Sequence, residues 1–229
     1  MTTGSDRPAL AAKLQLGNEI LGLALESETI ERLLDYLALL AKWNAVYNLT
    51  AVRDPQQMVV QHLLDSLAIW PHFLQARQVL DVGAGGGLPG LVLAICAHQL
   101  RPDMKISLVD TVHKKTAFLT QVKSELGLSN VTVHTARVEQ LQAAAQFDVI
   151  TSRAFADLAD FVTWSSHLLA DGGQFIAMKG QMPQAEMAAL PSDWEVSNVR
   201  MLQVPGMDAE RHLIFIQRRA QPLSAIHTA

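Results

Sequence analysis

The sequence predicts an α/β fold in which a mostly parallel, seven-stranded sheet is closed by a C-terminal antiparallel hairpin and preceded by a helical extension. Three observations predict it. From residue 79 onward, short β-branched or apolar runs alternate with helical stretches, the pattern of parallel strands covered by helices. One of these runs, Val79-Leu-Asp-Val82, leads straight into the glycine turn Gly83-Ala-Gly-Gly-Gly-Leu-Pro-Gly90. At the end of the chain, the runs 194–204 and 211–218 are separated only by Pro205-Gly206 and polar residues, which suits a hairpin.

Residues 1–9 are expected to be a flexible N-terminus, and 10–24 a weak helix. Ser27 suits a helix N-cap, with Glu28 and Glu31 in the first turn and Ile30, Leu33, Leu34, Leu37, Leu40 and Ala41 at helical spacing. A second amphipathic helix starts at Asp54-Pro55, cap and first-turn proline, runs through Met58, Val59, Leu63 and Leu67, and stops at Pro71. His62 and Asp65 share one face of it, where a local hydrogen bond is the plain expectation. The helical extension therefore covers 10–75, the sheet-bearing domain 76–218 and a flexible tail 219–229. Strands are expected at 79–82, 105–109, 131–134, 147–151 and 173–178, with helices at 90–100, 113–126, 137–144 and 157–170 between them.

Composition narrows the classes. In 229 residues, 49% hydrophobic content is ample for a core. The single Cys96 excludes an intramolecular disulfide, and its apolar run Leu91 to Ala97 predicts a buried, inert thiol. No apolar run reaches the roughly 18 residues of a membrane span and Met1 to Ala9 lacks a signal-peptide stretch, so a cytoplasmic protein without membrane association is expected. Eight scattered histidines show no ligand spacing, so no metal is expected. A net charge of −4 argues against non-specific coating of nucleic acid, although the segment from Arg200 onward is net positive.

Glycines at 83, 85 and 87 let the backbone take positive φ and approach a ligand closely, while Pro89 suits the first turn of a helix whose free N–H groups face that ligand. The spacing Gly85-x-Gly87-x-x-Gly90 matches the dinucleotide fingerprint. In that fingerprint, however, the first glycine follows the strand directly; here that residue is Gly83, and its third glycine position is Leu88. Asp81, two residues before the turn, disfavours a pyrophosphate and favours a cationic ligand. Asp81-x-Gly83-x-Gly85-x-Gly87 resembles the first motif of S-adenosylmethionine (SAM) dependent methyltransferases, whose cofactor carries an ammonium, a sulfonium and two ribose hydroxyls. The expected fold is accordingly the Rossmann-like SAM-dependent methyltransferase fold, with Asp81, Gly83 and Gly85 at the cofactor; Asp81 can also bond the turn's own N–H groups.

The second strand ends in Asp110, placed either to accept from ribose hydroxyls or to cap the helix near His113. The third leads to Arg137-Val138-Glu139, where backbone amides or Glu139 reach an adenine edge. The fourth ends in Thr151-Ser-Arg-Ala-Phe155, beside the glycine turn at the switch point, which puts Arg153 near the reacting groups. After this strand the chain lacks the Asn/Asp-Pro-Pro-aromatic signature of enzymes that methylate exocyclic amino groups. It also lacks the Pro-Cys nucleophile of carbon-5 cytosine enzymes.

Six separated segments then carry a resemblance over about residues 25–217. They are Trp43-Asn44 with Tyr47-Asn-Leu-Thr-Ala-Val-Arg-Asp54, His62-Leu-Leu-Asp-Ser66, the turn with Leu88-Pro-Gly90, Ser152-Arg-Ala-Phe155, Lys179-Gly-Gln181 and Glu210-Arg-His212. Together they resemble the bacterial 16S ribosomal RNA guanine-N7 methyltransferase family, also called glucose-inhibited division protein B. Ala84, Gly86 and Lys115 depart mildly from the family's usual residues. The resemblance implies methyl transfer from SAM to N7 of guanine 527 in the decoding region, with cofactor contacts carried onto Gly83, Leu88, Val138, Glu139 and Arg153.

N7 is an unprotonated ring nitrogen whose lone pair attacks directly, so no general base is needed and orientation can supply roughly 7–11 kcal/mol. Arg153 or Arg137 is expected to hold the cofactor or the guanine O6 edge without donating to N7 itself. Among Lys114, Lys115, Lys123, Arg137, Lys179, Arg200 and Arg211, we select Arg137, Lys179, Arg200 and Arg211 as the RNA contacts. The expected partner is 16S ribosomal RNA within the small subunit or its assembly intermediate, met by a monomer that reads shape more than charge. Two alternatives are a nicotinamide-dependent oxidoreductase, disfavoured by Asp81 and the hairpin, and a SAM-binding RNA module that never transfers the methyl.

Overall fold

The structure, a computed structural model, describes residues 7–220; the expectations for residues 1–6 and 221–229 lie outside the described residues. Helix α1 (Arg7–Leu21) begins inside the stretch expected to be flexible, and buries Leu10 and Leu14. In α2 (Ser27–Tyr47) the predicted stripe Ile30, Leu33, Leu34, Leu37 and Leu40 is buried. Ser27, however, is not its cap: Glu26 is the extended N-cap residue, makes no side-chain cap bond, and gives its carbonyl to the Ile30 amide at 3.1 Å. At α3 (Pro55–Met58) the expected cap is present, the Asp54 carboxylate accepting from the Gln56 and Gln57 amides at 3.3 Å each. The helix continues as a π-helical stretch, Val59–Leu64, into α4 (Asp65–Leu67).

Seven strands follow: β1 (Gln78–Val82), β2 (Lys105–Asp110), β3 (Val131–Thr135), β4 (Phe147–Arg153), β5 (Leu169–Lys179), β6 (Trp194–Met201) and β7 (His212–Arg218). Their order is β3-β2-β1-β4-β5-β7-β6. The first five are parallel, and β7 runs antiparallel to both β5 and β6. The chain winds outward from β1 to β3 and then returns to place β4 on β1's other side, so the carboxyl ends of β1 and β4 flank a switch-point crevice. Helices α5 (Gly90–Leu100) and α6 (His113–Glu125) join the helices before β1 in one core, while α7 (Leu158–Ser165) packs in a second. The last helix, α8 (Gln184–Ala188), is short. Cys96 is fully enclosed in α5, and burial raises its thiol pKa, so it is inert as expected.

Two expected helices shrink. The 137–144 stretch is only a 3-10 turn, Val138–Gln140, because it buries Val138 and Leu141 and offers no longer apolar stripe. The 157–170 helix ends at Ser165, with a 3-10 turn Ser166–Leu168, and β5 begins four residues early at Leu169. There Leu169 pairs with Phe147, and Gly172 at φ +74 carries the strand through an irregular register.

One bond ties the extension to the glycine turn: the buried Tyr36 hydroxyl of α2 donates to the Gly86 carbonyl at 2.7 Å. Tyr36→Phe is expected to cost about 1 kcal/mol in urea unfolding. An unchanged midpoint would show that water replaces the phenol without loss.

Candidate active site

Backbone geometry builds the site. After β1, Gly83, Gly85 and Gly87 have φ of +70, +55 and +90, the left-handed region that side chains disfavour. The amides of Gly83 and Ala84 both donate to the Val109 carbonyl, at 2.9 and 3.1 Å, which pins the turn to β2. A Cβ on Gly83 would meet the Phe155 ring at 2.7 Å, and one on Gly90 would meet the Asp81 carboxylate at 2.7 Å.

Two hollows open where the turn meets the ends of β4 and β5. The larger, about 550 Å³, is lined by Gly85, Leu88, Asp65, Arg153, Lys179 and Arg211 among others. The smaller, about 310 Å³, is lined by Asp110, Arg137, Val138, Glu139, Phe155 and Trp164 among others. Gly83, Lys115 and Ala154 line both. Ala154 itself has φ +54, a strained conformation for a residue with a side chain. Its neighbours part there: Arg153 lines the larger hollow and Phe155 the smaller.

The two carboxylates behave differently. Asp110 accepts from the Gly85 amide at 3.0 Å, the Val112 amide at 2.9 Å and Lys115 Nζ at 3.4 Å, so it anchors the turn as well as facing the smaller hollow. It does not cap α6 directly, since Val112 is the N-cap residue and is itself the donor. Asp81 lies fully buried and lines neither hollow. Its Oδ2 accepts from the Gly90 amide at 2.8 Å, at the start of α5, and its Oδ1 has no partner. Burial pushes its pKa up to about 7, partly opposed by the Gly90 bond and the Arg153 charge.

The expected His62–Asp65 bond is absent. His62 instead pairs through Nε2 with Thr50 Oγ1 at 2.8 Å, and Asp65 turns to Arg153 and Arg211. The cationic guanidiniums outcompete a buried imidazole whose pKa burial, and then Arg153, push down to about 4.

Of the RNA candidates, Lys179 and Arg211 line the larger hollow and Arg137 the smaller. Lys179 is also paired with Glu186 at 2.7 Å. Arg200 lines neither hollow and sits exposed on the outermost strand opposite Leu213. The sequence pointed to Asp65 only as a local partner of His62 and to Lys115 only as one of the candidate RNA contacts, and it gave no sign of Trp164 or of the special backbone of Ala154. An acidic residue within the apolar run 58–70 was the available signal for Asp65. Among the described residues no group of three or more His, Cys, Asp or Glu could hold a metal, and no helix is long and apolar enough to cross a membrane.

The donor set fits SAM. The cradle is one that side chains would fill, and the smaller hollow sets two carboxylates, Asp110 and Glu139, among apolar walls that include Val138, Phe155 and Trp164. Among solved structures, the chain resembles the O-methyltransferase TomG from Streptomyces achromogenes, solved in complex with SAM. The TM-score is 0.55 at 16% identity, covering 90% of this chain and 96% of that one. It also resembles the N-methyltransferase NodS from Bradyrhizobium japonicum, solved with S-adenosyl-L-homocysteine (TM-score 0.53, 12% identity, 79% and 100% coverage). At such identities the likeness carries the fold alone, the Rossmann-like methyltransferase fold.

Closer relatives narrow the class. Residues 29–214 match the profile of the rRNA small subunit methyltransferase G family, GidB. The Ribosomal RNA small subunit methyltransferase G of Janthinobacterium sp. is 68% identical over 93% of this chain and 97% of its own length, and that of Burkholderia pseudomallei strain 1106a is 54% identical over 93% of each. The chain therefore belongs to the rRNA small subunit methyltransferase G family.

Proposed function

We propose that the protein transfers a methyl group from SAM to N7 of guanine 527 in the decoding region of 16S ribosomal RNA, acting as a cytoplasmic monomer on the small subunit or an assembly intermediate. The observation that carries the reading is the pair of hollows joined at Gly83, one suited to a nucleoside and the other rimmed by cations. When bound, SAM supplies an electrophilic methyl on a sulfonium. Asp110, Val138 and Glu139 would hold its adenosine in the smaller hollow; Gly83, Gly85 and Leu88 would shape the passage between the hollows, with the Asp81 charge behind the turn.

The chain's remaining task is orientation. A guanine N7 gives up no proton on methylation, and the larger hollow's ionisable side chains are ion-paired rather than poised as a free base: Asp65 with two arginines, Lys179 with Glu186 and Lys115 with Asp110. Arg153 would steady the O6 edge or the cofactor, and Lys179 and Arg211 the RNA around it. Digesting small-subunit RNA after incubation with methyl-labelled SAM tests the reading. Label should travel with 7-methylguanosine. Label in another nucleoside would overturn the N7 assignment, and SAM binding without transfer would favour a non-catalytic module.

A further inference from the structure

The larger hollow contains one buried carboxylate, Asp65, and two arginines that reach it from distant parts of the chain. Asp65 opens α4 directly after the π-helical stretch and is 1% exposed. Its Oδ2 accepts from Arg153 Nη1 at 3.1 Å, at the end of β4, and its Oδ1 from Arg211 Nε at 3.0 Å, just before β7. Each guanidinium has a second tether: Arg153 Nη1 donates to the Gln61 carbonyl at 2.9 Å, and Arg211 Nη1 to the Glu210 carbonyl at 2.8 Å. The Nη2 groups of both arginines have no protein acceptor among the described residues, although both side chains line the hollow.

We infer that Asp65 is a positioning residue that holds Arg153 and Arg211 as one donor edge for the O6 side of the incoming guanine and offsets their charge, so that the hollow does not grip passing phosphates. The inference rests on the guanine-N7 reading above. Two guanidiniums bonded to the two oxygens of one carboxylate are fixed relative to each other, which a pair of free arginine side chains is not. The same carboxylate cancels one of their two positive charges. Without it, two cations of long reach stand in a cleft open to RNA, where each freed charge adds a salt-sensitive phosphate contact. Asp65 thus trades raw RNA affinity for a correctly aimed base.

Two variants separate geometry from charge. Asp65→Asn is expected to lower kcat on small subunits at least tenfold while the KM for subunits stays level or falls. It should also bind an unrelated single-stranded RNA several-fold more tightly at low salt, with a steeper salt dependence. Asp65→Glu keeps the charge but moves the carboxylate, so it should lower kcat while leaving affinity for the unrelated RNA at the wild-type level; it also serves if the Asn variant does not fold. A purely structural residue would weaken stability and every activity together, and would not tighten off-target binding. A kcat within twofold of wild type in both variants overturns the inference and leaves the N7 reading standing, as does unrelated RNA bound no more tightly by folded Asp65→Asn. Failure of the wild-type protein itself to methylate N7 overturns both.

Discussion

Gly83→Ala is expected to weaken SAM binding by at least about 100-fold, close to 2.7 kcal/mol. Two independent penalties meet at that residue. Its φ of +70 disfavours any side chain, by about 1–2 kcal/mol. The added Cβ would also stand 2.7 Å from Phe155, which then has to move into the smaller hollow or unseat its packing on Phe161 and Trp164. Because Gly83 lines both hollows, either displacement would crowd the cradle proposed for the cofactor. Gly86→Ala is the matched control: a Cβ there meets Leu40 at 3.2 Å, a side-chain tip that can yield, and it lies outside the left-handed region. Isothermal titration with SAM should show the first variant silent and the second close to wild type. Equal affinities would mean that the turn is not the cradle.

Asp81→Asn should change the pH dependence of stability and weaken the cofactor together. The pKa of the folded Asp81 is near 7 against an ordinary 3.8, because the carboxyl is wholly buried. Between those values the folded state holds a proton that the unfolded state has lost, so this group's contribution to stability falls as pH rises from about 4 to about 7. At about 1.4 kcal/mol per pH unit, the span sets an upper figure of roughly 4 kcal/mol. His62 works in the opposite sense. Its folded pKa of about 4 lies below 6.5, so its contribution is lost as pH falls through that interval. The wild-type profile therefore hides both, and the comparison of wild type with variant isolates Asp81. Stability should shift in favour of Asp81→Asn between pH 4 and pH 8, while affinity for cationic SAM drops at least tenfold at pH 8. Parallel unfolding curves across that range would show that Asp81 titrates normally.

Much of this architecture was legible in the residues. The helix at 90–100 and the strand starts at 105, 131 and 147 agree with the structure because apolar runs bounded by turn residues leave little choice. The stretch 137–144 misled because Gln and Ala favour helix locally, whereas burial of Val138 and Leu141 decides the backbone there. The early start of β5 was hidden by Asp171-Gly172-Gly173, which reads as a turn and is absorbed as an irregularity in the sheet. At the site, the glycine turn announced itself through spacing. Asp65 did not, because its two partners lie 88 and 146 residues away and only the closed sheet brings them together. For the same reason the sequence named Arg137 and Arg211 as RNA contacts without placing them, and the fold sets Arg137 on the smaller hollow and Arg211 on the larger.

Chemical cleavage at 7-methylguanine tests the central claim most directly. Small subunits from cells lacking this modification would be incubated with the protein and SAM, and their 16S RNA cleaved and mapped. The account predicts a single new break, at guanine 527, that disappears with Gly83→Ala. A methylated product without a break there, or breaks scattered over many guanines, would contradict it.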